Sequence, residues 1–206
     1  MRILVYDVAA SSGGALTVLN SFYEEFCKDT KNEYIFVLSV CKLKEQPHIK
    51  VLNFPWIKKS LLHRMYFDQV LAHKLVKKYH ADKVLSLQNI ELPYAGVPQM
   101  VYEHNALPFS EYKFRPQEAF RPWYSQQILG RMMKKSIRRA EQVLVQTNWM
   151  KEEIVRQCKI PAERVQVKFP PVEMLKTDPW QMEEEHAVFF FPAGPPAYKN
   201  HRTFLK

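Results

Sequence analysis

A few short stretches of this sequence bring together residue types that could do chemistry. In "AASSGGA" (9–15), Ser11, Ser12, Gly13 and Gly14 follow an apolar run and precede residues at helical spacing. Two glycines let backbone N–H groups approach a ligand closely, and a helix starting there points the positive end of its dipole at it. A phosphate or a sugar hydroxyl fits that description; the alternative is a tight turn and nothing more. The loop is neither GxGxxG nor a P-loop, and the second apolar run ends in "SVCKLK" with no acid to hold a ribose. In "VYEHN", Glu103, His104 and Asn105 close another apolar run. A histidine there can donate a hydrogen bond or carry charge near neutral pH, and an asparagine can orient a hydroxyl. Its alternative is a histidine satisfied by local backbone groups.

A different chemistry is written between residues 131 and 139, where Arg131, Lys134, Lys135, Arg138 and Arg139 occur without an acid. At 100° per residue all five fall within an arc of roughly 140°, with Leu129, Met132, Met133, Ile137 and Ala140 on the other side. Such a helix packs one face on a core and presents a cationic one. Aromatic residues are interleaved with basic ones nearby, at 109–124 and again in "FPWIKKSLLHRMYF" (54–67). This combination suits an anionic membrane surface; a solvated basic face is the plain alternative. Nucleic acid is not expected, since no RNP, helix-turn-helix or zinc signature accompanies the charge.

The elements that must position these residues alternate. Strand-like runs occur at 2–8, 33–40, 50–54, 83–88, 99–105, 142–147 and 164–172, and several are continuously apolar, as strands covered on both faces are. Helical spacing is found at 15–28, at 60–80 with Leu62, Phe67, Val70, Leu71, Leu75 and Tyr79 inward, at 124–140, and at 148–158 with Asn148 as N-cap. Residues 106–123, with three prolines and five aromatics, read as a loop with one or two short helical turns. The alternation predicts an α/β protein with a doubly wound parallel sheet, which would set the loops at 11–14 and 103–105 on one carboxyl edge. A domain over 1–172, a linker over 173–186 and a further strand, turn and helix start over 187–206 complete the expected organisation.

Bulk composition bounds the rest. At 206 residues and 47% hydrophobic, the chain can bury a real core. Its longest apolar runs are far short of a bilayer span. "MRILVYD" lacks the basic segment and apolar core of a signal peptide, so the cytoplasm is expected, with a peripheral position on a membrane possible through the basic face. Cys27, Cys41 and Cys158 are far apart and odd in number, which suggests free thiols. His73 and His80 could share a helix face but have no third ligand beside them, so no metal site is assigned. The formal charge is +9, and residues 121–170 hold 11 Lys and Arg against 4 Glu, a local +7. An anionic partner follows from that imbalance.

The order of these landmarks resembles a known family. "RILVYDVAASSGGALTVL", "VYEHNALPFS", "RAEQVLVQTNWMKEEIVRQCKIPAERVQVKFPPVE" and "FFFPAGPPAYKNH" are similar to successive segments of retaining glycosyltransferases of the family 4 type, which have the GT-B fold. The resemblance implies a Rossmann-like N-terminal half of such an enzyme, followed by the beginning of a second, truncated domain. It implies sugar transfer from a nucleotide-sugar to a lipid-linked or polysaccharide acceptor, without cofactor or metal. By the same resemblance His104 stands beside the transferred sugar, and Ser12, Gly13, Gly14 and Asn105 contact donor or acceptor. Thr147 and Asn148 line the cleft, and Gly194 and Lys199 belong to a second-domain loop that clamps the donor's pyrophosphate. Residues 1–206 alone would then lack turnover. The reading of another class is a non-catalytic module that binds a phosphorylated or sugar ligand with the Gly13–Gly14 loop.

Overall fold

A computed structural model describes residues 1–169 and Lys199. Among them, β1 (Arg2–Asp7), β2 (Glu33–Leu38), β3 (Ile49–Asn53), β4 (Lys83–Ser86), β5 (Gln99–Glu103), β6 (Gln142–Val145) and β7 (Val165–Val167) form one sheet. Its order is β3-β2-β1-β4-β5-β6-β7, and every pairing is parallel. The continuous runs of Val, Ile, Leu and Phe have the cause expected: both faces are covered. The expected strands are found at each place, but the first six stop one or two residues early at their carboxyl ends, where polar residues such as Ser39, Gln88, His104 and Thr147 turn into loops, and β7 stops at Val167. The end of the seventh expected strand lies outside the described residues. So do the linker over 173–186 and most of 187–206.

On one face α1 (Gly13–Lys28) lies over β1, β2, β4, β5 and β6, with Val18, Leu19, Phe22 and Phe26 against Val5, Phe36, Leu85, Tyr102 and Leu144. Phe26 stacks on Tyr34 at 4.0 Å between centroids, and Phe22 meets Tyr102 edge-on at 5.2 Å. The other face carries α3 (Ala72–Lys78), α5 (Gly130–Arg139) and α6 (Asn148–Cys158) over two further apolar clusters, while α2 (Leu61–Tyr66) and α4 (Phe120–Tyr124), which lead toward α3 and α5, bury no residue of their own.

Two π turns change the helices from the expected ones. Phe67–Leu71 joins α2 to α3, and Ser125–Leu129 joins α4 to α5. Each wider turn resets the phase of the 3.6-residue repeat. The buried residues of 61–78 are Phe67, Ala72 and Val76, with Leu71 and Leu75 packed against their cluster as the spacing expects, while Leu62 and Val70 are exposed, contrary to it. The short helical turns expected within 106–123 are found at Leu107–Phe109 and from Phe120, where the second rod begins, and Met132 is exposed and not buried with Met133 and Ile137. The N-cap of α6 is Thr147, whose Oγ1 accepts from the Met150 N–H at 3.1 Å; Asn148 is the first helical residue. Only the Thr147 backbone is extended there, which is what a cap requires.

Candidate functional site at the carboxyl edge

The sheet runs β1 to β2 to β3 in one direction and then crosses back to β4 on the other side of β1. This is a topological switch point, and in open parallel sheets the crevice at the carboxyl ends of the two strands beside it receives ligands. The loops after β1 and β4 flank it here. The carboxyl end of β5 stands two strand spacings from β1, about 10 Å, which is room for a sugar or a phosphate.

The loop after β1 is held from beneath. Asp7 is 1% exposed, and its Oδ1 accepts from the Ala10 N–H at 3.1 Å. Lys58 Nζ donates to the Ala9 carbonyl at 2.7 Å, and Cys41 Sγ to the Ala10 carbonyl at 3.3 Å. These bonds leave Ser11, Ser12, Gly13 and Gly14 on the surface. Gly13 has φ +60, a left-handed conformation that glycine adopts without strain, and a Cβ added at Gly14 would meet nothing within 4 Å. The Ser12 side chain does not cap α1, and its first turn has no acid. The orphan N–H groups and the positive dipole end of a 16-residue helix thus face the rim with no side-chain cap among the described residues.

Burial pushes the Asp7 carboxyl up to about 6, against the opposing pull of the Ala10 N–H, Arg64 and Lys58. Its Oδ2 has no partner among the described residues. Burial also lowers the Lys58 ammonium, with Arg64 adding to it. Beside them Arg64 donates through Nε to Asp68 at 2.7 Å and through Nη2 to Gln88 at 2.8 Å, while the Tyr6 hydroxyl donates to the other Asp68 oxygen. Burial first, and then Asp68, holds that phenol well above its ordinary range.

At the end of β5, His104 and Asn105 are organised by Asn89. The Asn89 Oδ1 accepts from the His104 N–H at 2.7 Å and the Asn105 N–H at 3.1 Å. Because that oxygen takes two backbone donors, the Asn89 Nδ2 is the donor toward His104 Nε2 at 3.1 Å. Asn89 itself sits at φ 64, a left-handed position that asparagine tolerates. His104 Nε2 is therefore an acceptor and Nδ1 carries the proton; Nδ1 is covered and unpartnered among the described residues. Burial lowers its pKa, so the ring is neutral near pH 7 and is not the cation the sequence also allowed. Asn105 spends its side chain on structure, donating to Ser125 Oγ at 3.2 Å and accepting from the Leu107 N–H at 3.2 Å. Glu103 is wholly buried on the α5–α6 face, with both oxygens unpartnered among the described residues, and desolvation drives its pKa well upward.

Gly13, Gly14, His104, Asn105, Thr147 and Asn148 thus share one edge, at the ends of β1, β5 and β6. Gly194 lies outside the described residues, and Lys199 is on the surface. The five basic residues lie apart from this edge: Lys134 donates to Gln157 at 2.8 Å, Arg138 to the Cys158 carbonyl at 3.2 Å and Arg139 to Glu91 at 3.1 Å, whereas Arg131 and Lys135 are exposed. Sequence reasoning missed Asn89, Asp7 and the Tyr6–Asp68–Arg64–Gln88 network. The Asn89 amide could have been suspected from a polar "QN" just past an apolar run and before a Pro/Gly break; nothing local marks Asp68. Among the described residues no group of three His, Cys, Asp or Glu could hold a metal ion, and no helix is long and apolar enough to cross a membrane.

No protein-family model matches the chain, and no curated protein matches it in sequence. Solved structures do match in shape. The lipopolysaccharide outer core galactosyltransferase WaaB in its apo form superposes with a TM-score of 0.55 at 18% identity, over 89% of this chain and 50% of that one. UDP-N-acetylglucosamine 2-epimerase from Rickettsia bellii gives 0.54 at 12% identity over 82% and 45%, and the corresponding enzyme from Methanocaldococcus jannaschii 0.52 at 11% over 81% and 45%. The chain shares their fold. It is the Rossmann-like α/β sheet that the alternation of elements and the resemblance led us to expect. The chain spans about half the length of these proteins.

Proposed function

We propose that the chain is the acceptor-side half of a sugar transferase that uses a nucleotide-sugar donor, as the sequence landmarks of the family 4 type suggest. The observation that carries this reading is the exposed Gly13–Gly14 loop, which leads into an uncapped helix N-terminus at the switch point of a fully parallel sheet. As a sugar leaves a nucleoside diphosphate, negative charge grows on the pyrophosphate, and oriented N–H groups stabilise it where it develops. The neutral His104 at the end of β5 is a hydrogen-bond donor for the sugar through Nδ1–H, released once the cover over Nδ1 shifts. Lys199 and Gly194 would complete the diphosphate clamp from the second half. The acceptor class is lipid-linked or polysaccharide, and transfer with retention and without a metal rests on the resemblance. The solved structures support the reading through shared fold: one is named as a lipopolysaccharide galactosyltransferase and the others as epimerases of a UDP-sugar.

The test is titration of the 206-residue chain with a nucleoside diphosphate, followed by amide chemical shifts. Perturbations at 11–16 that vanish in Gly14→Glu, whose side chain has open space but carries an opposing charge, are the expected result. Unchanged binding by that variant refutes the assignment of the loop.

A further inference from the structure

More than half of the large exposed apolar residues lie on two helical rods. On the rod over 120–139, Phe120, Tyr124, Ile128 and Met132 recur every four residues and are all exposed, Phe120 at 62%. On the rod over 61–78, Leu61, Leu62, Met65 and Tyr66 are exposed as well, Leu62 at 75%. Both rods border one groove of about 560 Å³, which Gln69 enters from the first and Met132 from the second. Its floor is Ile90, Leu92 and Pro93, and Lys135 and Arg139 stand among its lining. A soluble protein that stays alone in water seldom gathers so many large apolar side chains on two neighbouring rods.

Charge names the occupant. Residues 120–139 contain six Lys and Arg and no acid. Three of the six are drawn onto the protein, by Gln157, the Cys158 carbonyl and Glu91. Arg121, Arg131 and Lys135 remain exposed beside the apolar stripe. An apolar stripe bordered by cations, with aromatic rings at its margin, complements an acyl surface bordered by anionic headgroups. We propose that the face formed by these two rods docks on an anionic lipid surface, with Phe120, Tyr124, Ile128 and Met132 entering the interface and the groove beside Met132 admitting an acyl chain. The inference does not depend on the transferase reading, because it uses none of Gly13, Gly14, His104, Asn105, Thr147 or Asn148. It does bear on that edge: Ser125, next to Tyr124, holds the Asn105 side chain, so the docking face and the end of β5 are tied by one hydrogen bond.

Flotation of the 206-residue chain with phosphatidylcholine vesicles, against vesicles in which about a third of the lipid is phosphatidylglycerol, tests it. Binding at least tenfold tighter to the anionic vesicles is expected. A triple change of Phe120, Tyr124 and Ile128 to Ser, and separately Arg131→Glu with Lys135→Glu, should each lower that binding about tenfold or more. All these side chains are exposed, so the variants should keep the wild-type circular dichroism and melting. Lys28→Glu with Lys31→Glu changes net charge equally on the α1 side and should leave binding within about twofold. Equal binding to both vesicle types, equal loss in the α1-side control, or full binding by the triple variant overturns the proposal. So would concentration-dependent dimers that the triple variant abolishes in the absence of vesicle binding.

Discussion

Replacing Asp7 by asparagine should stabilise the protein, and by an amount that depends on pH. The carboxyl is 1% exposed, so no solvent screening discounts its shift. Its pKa rises from an ordinary 3.8 to about 6 because burial penalises the charged form. The folded state therefore holds a proton that the unfolded chain has already lost. The stability this group contributes is fully present below the unfolded value and is lost as pH rises through about 6. At 1.36 kcal/mol per pKa unit, ionised Asp7 costs about 3 kcal/mol at about pH 7.5 and only about 0.5 kcal/mol at about pH 4. The substituted amide keeps an oxygen to accept the Ala10 N–H and has no charge to bury. Urea unfolding followed by far-ultraviolet circular dichroism, for both proteins at both pH values, reads the difference. The variant should gain several times more at the higher pH, while both proteins keep a residual loss from Glu103, which shifts the same way. A gain independent of pH, or a loss of stability near pH 7.5, would refute the reasoning that Asp7 is a desolvated acid and would mark its ionised form as bonded to something that stabilises it.

Further outcomes follow from contacts around the site. Asn89→Gly removes three hydrogen bonds to the end of β5 and should cost about 1–3 kcal/mol in the same unfolding assay. Asn89→Ala should cost about 1 kcal/mol more, since alanine is strained at a positive φ; equal values for the two variants would show that the backbone relaxes. Gly130→Ala would set a Cβ 2.9 Å from the Pro108 Cβ, between a helix and a prolyl ring. Overpacking of about 1–3 kcal/mol should outweigh the helix-propensity gain, seen as a lower melting temperature; a rise would mean the 107–109 turn gives way.

The sheet was legible in the sequence because its strands are buried on both faces, so runs such as "EYIFVLSV" stand out without any partner in view. The two π turns were not legible. Nothing in "YFDQVL" or "YSQQIL" announces one, and carrying a 3.6-residue repeat through them assigns Leu62, Val70 and Met132 to the wrong side. At the site, the types and the common edge of Gly13, Gly14, His104 and Asn105 could be inferred from spacing and alternation. Their chemistry could not, because it depends on residues remote in the chain: Asn89 fixes the tautomer of His104 from 15 positions away, and Lys58 braces the Ala9 carbonyl from 49. The Asn148 cap failed by one residue, since Thr147 and Asn148 are both good caps and only backbone geometry separates them.

The uniform direction of all seven strands divides the domain into two poles of unlike consequence. Every strand delivers its chain into the carboxyl pole, so each change there alters what a ligand would meet. The returns at 79–82, 140–141 and 159–164 all lie at the opposite pole, where helices end and strands begin. Those returns are where a reporter dye, an epitope or a circularly permuted terminus could be placed with the ligand-facing pole undisturbed. Natural variation in length should collect at them for the same reason.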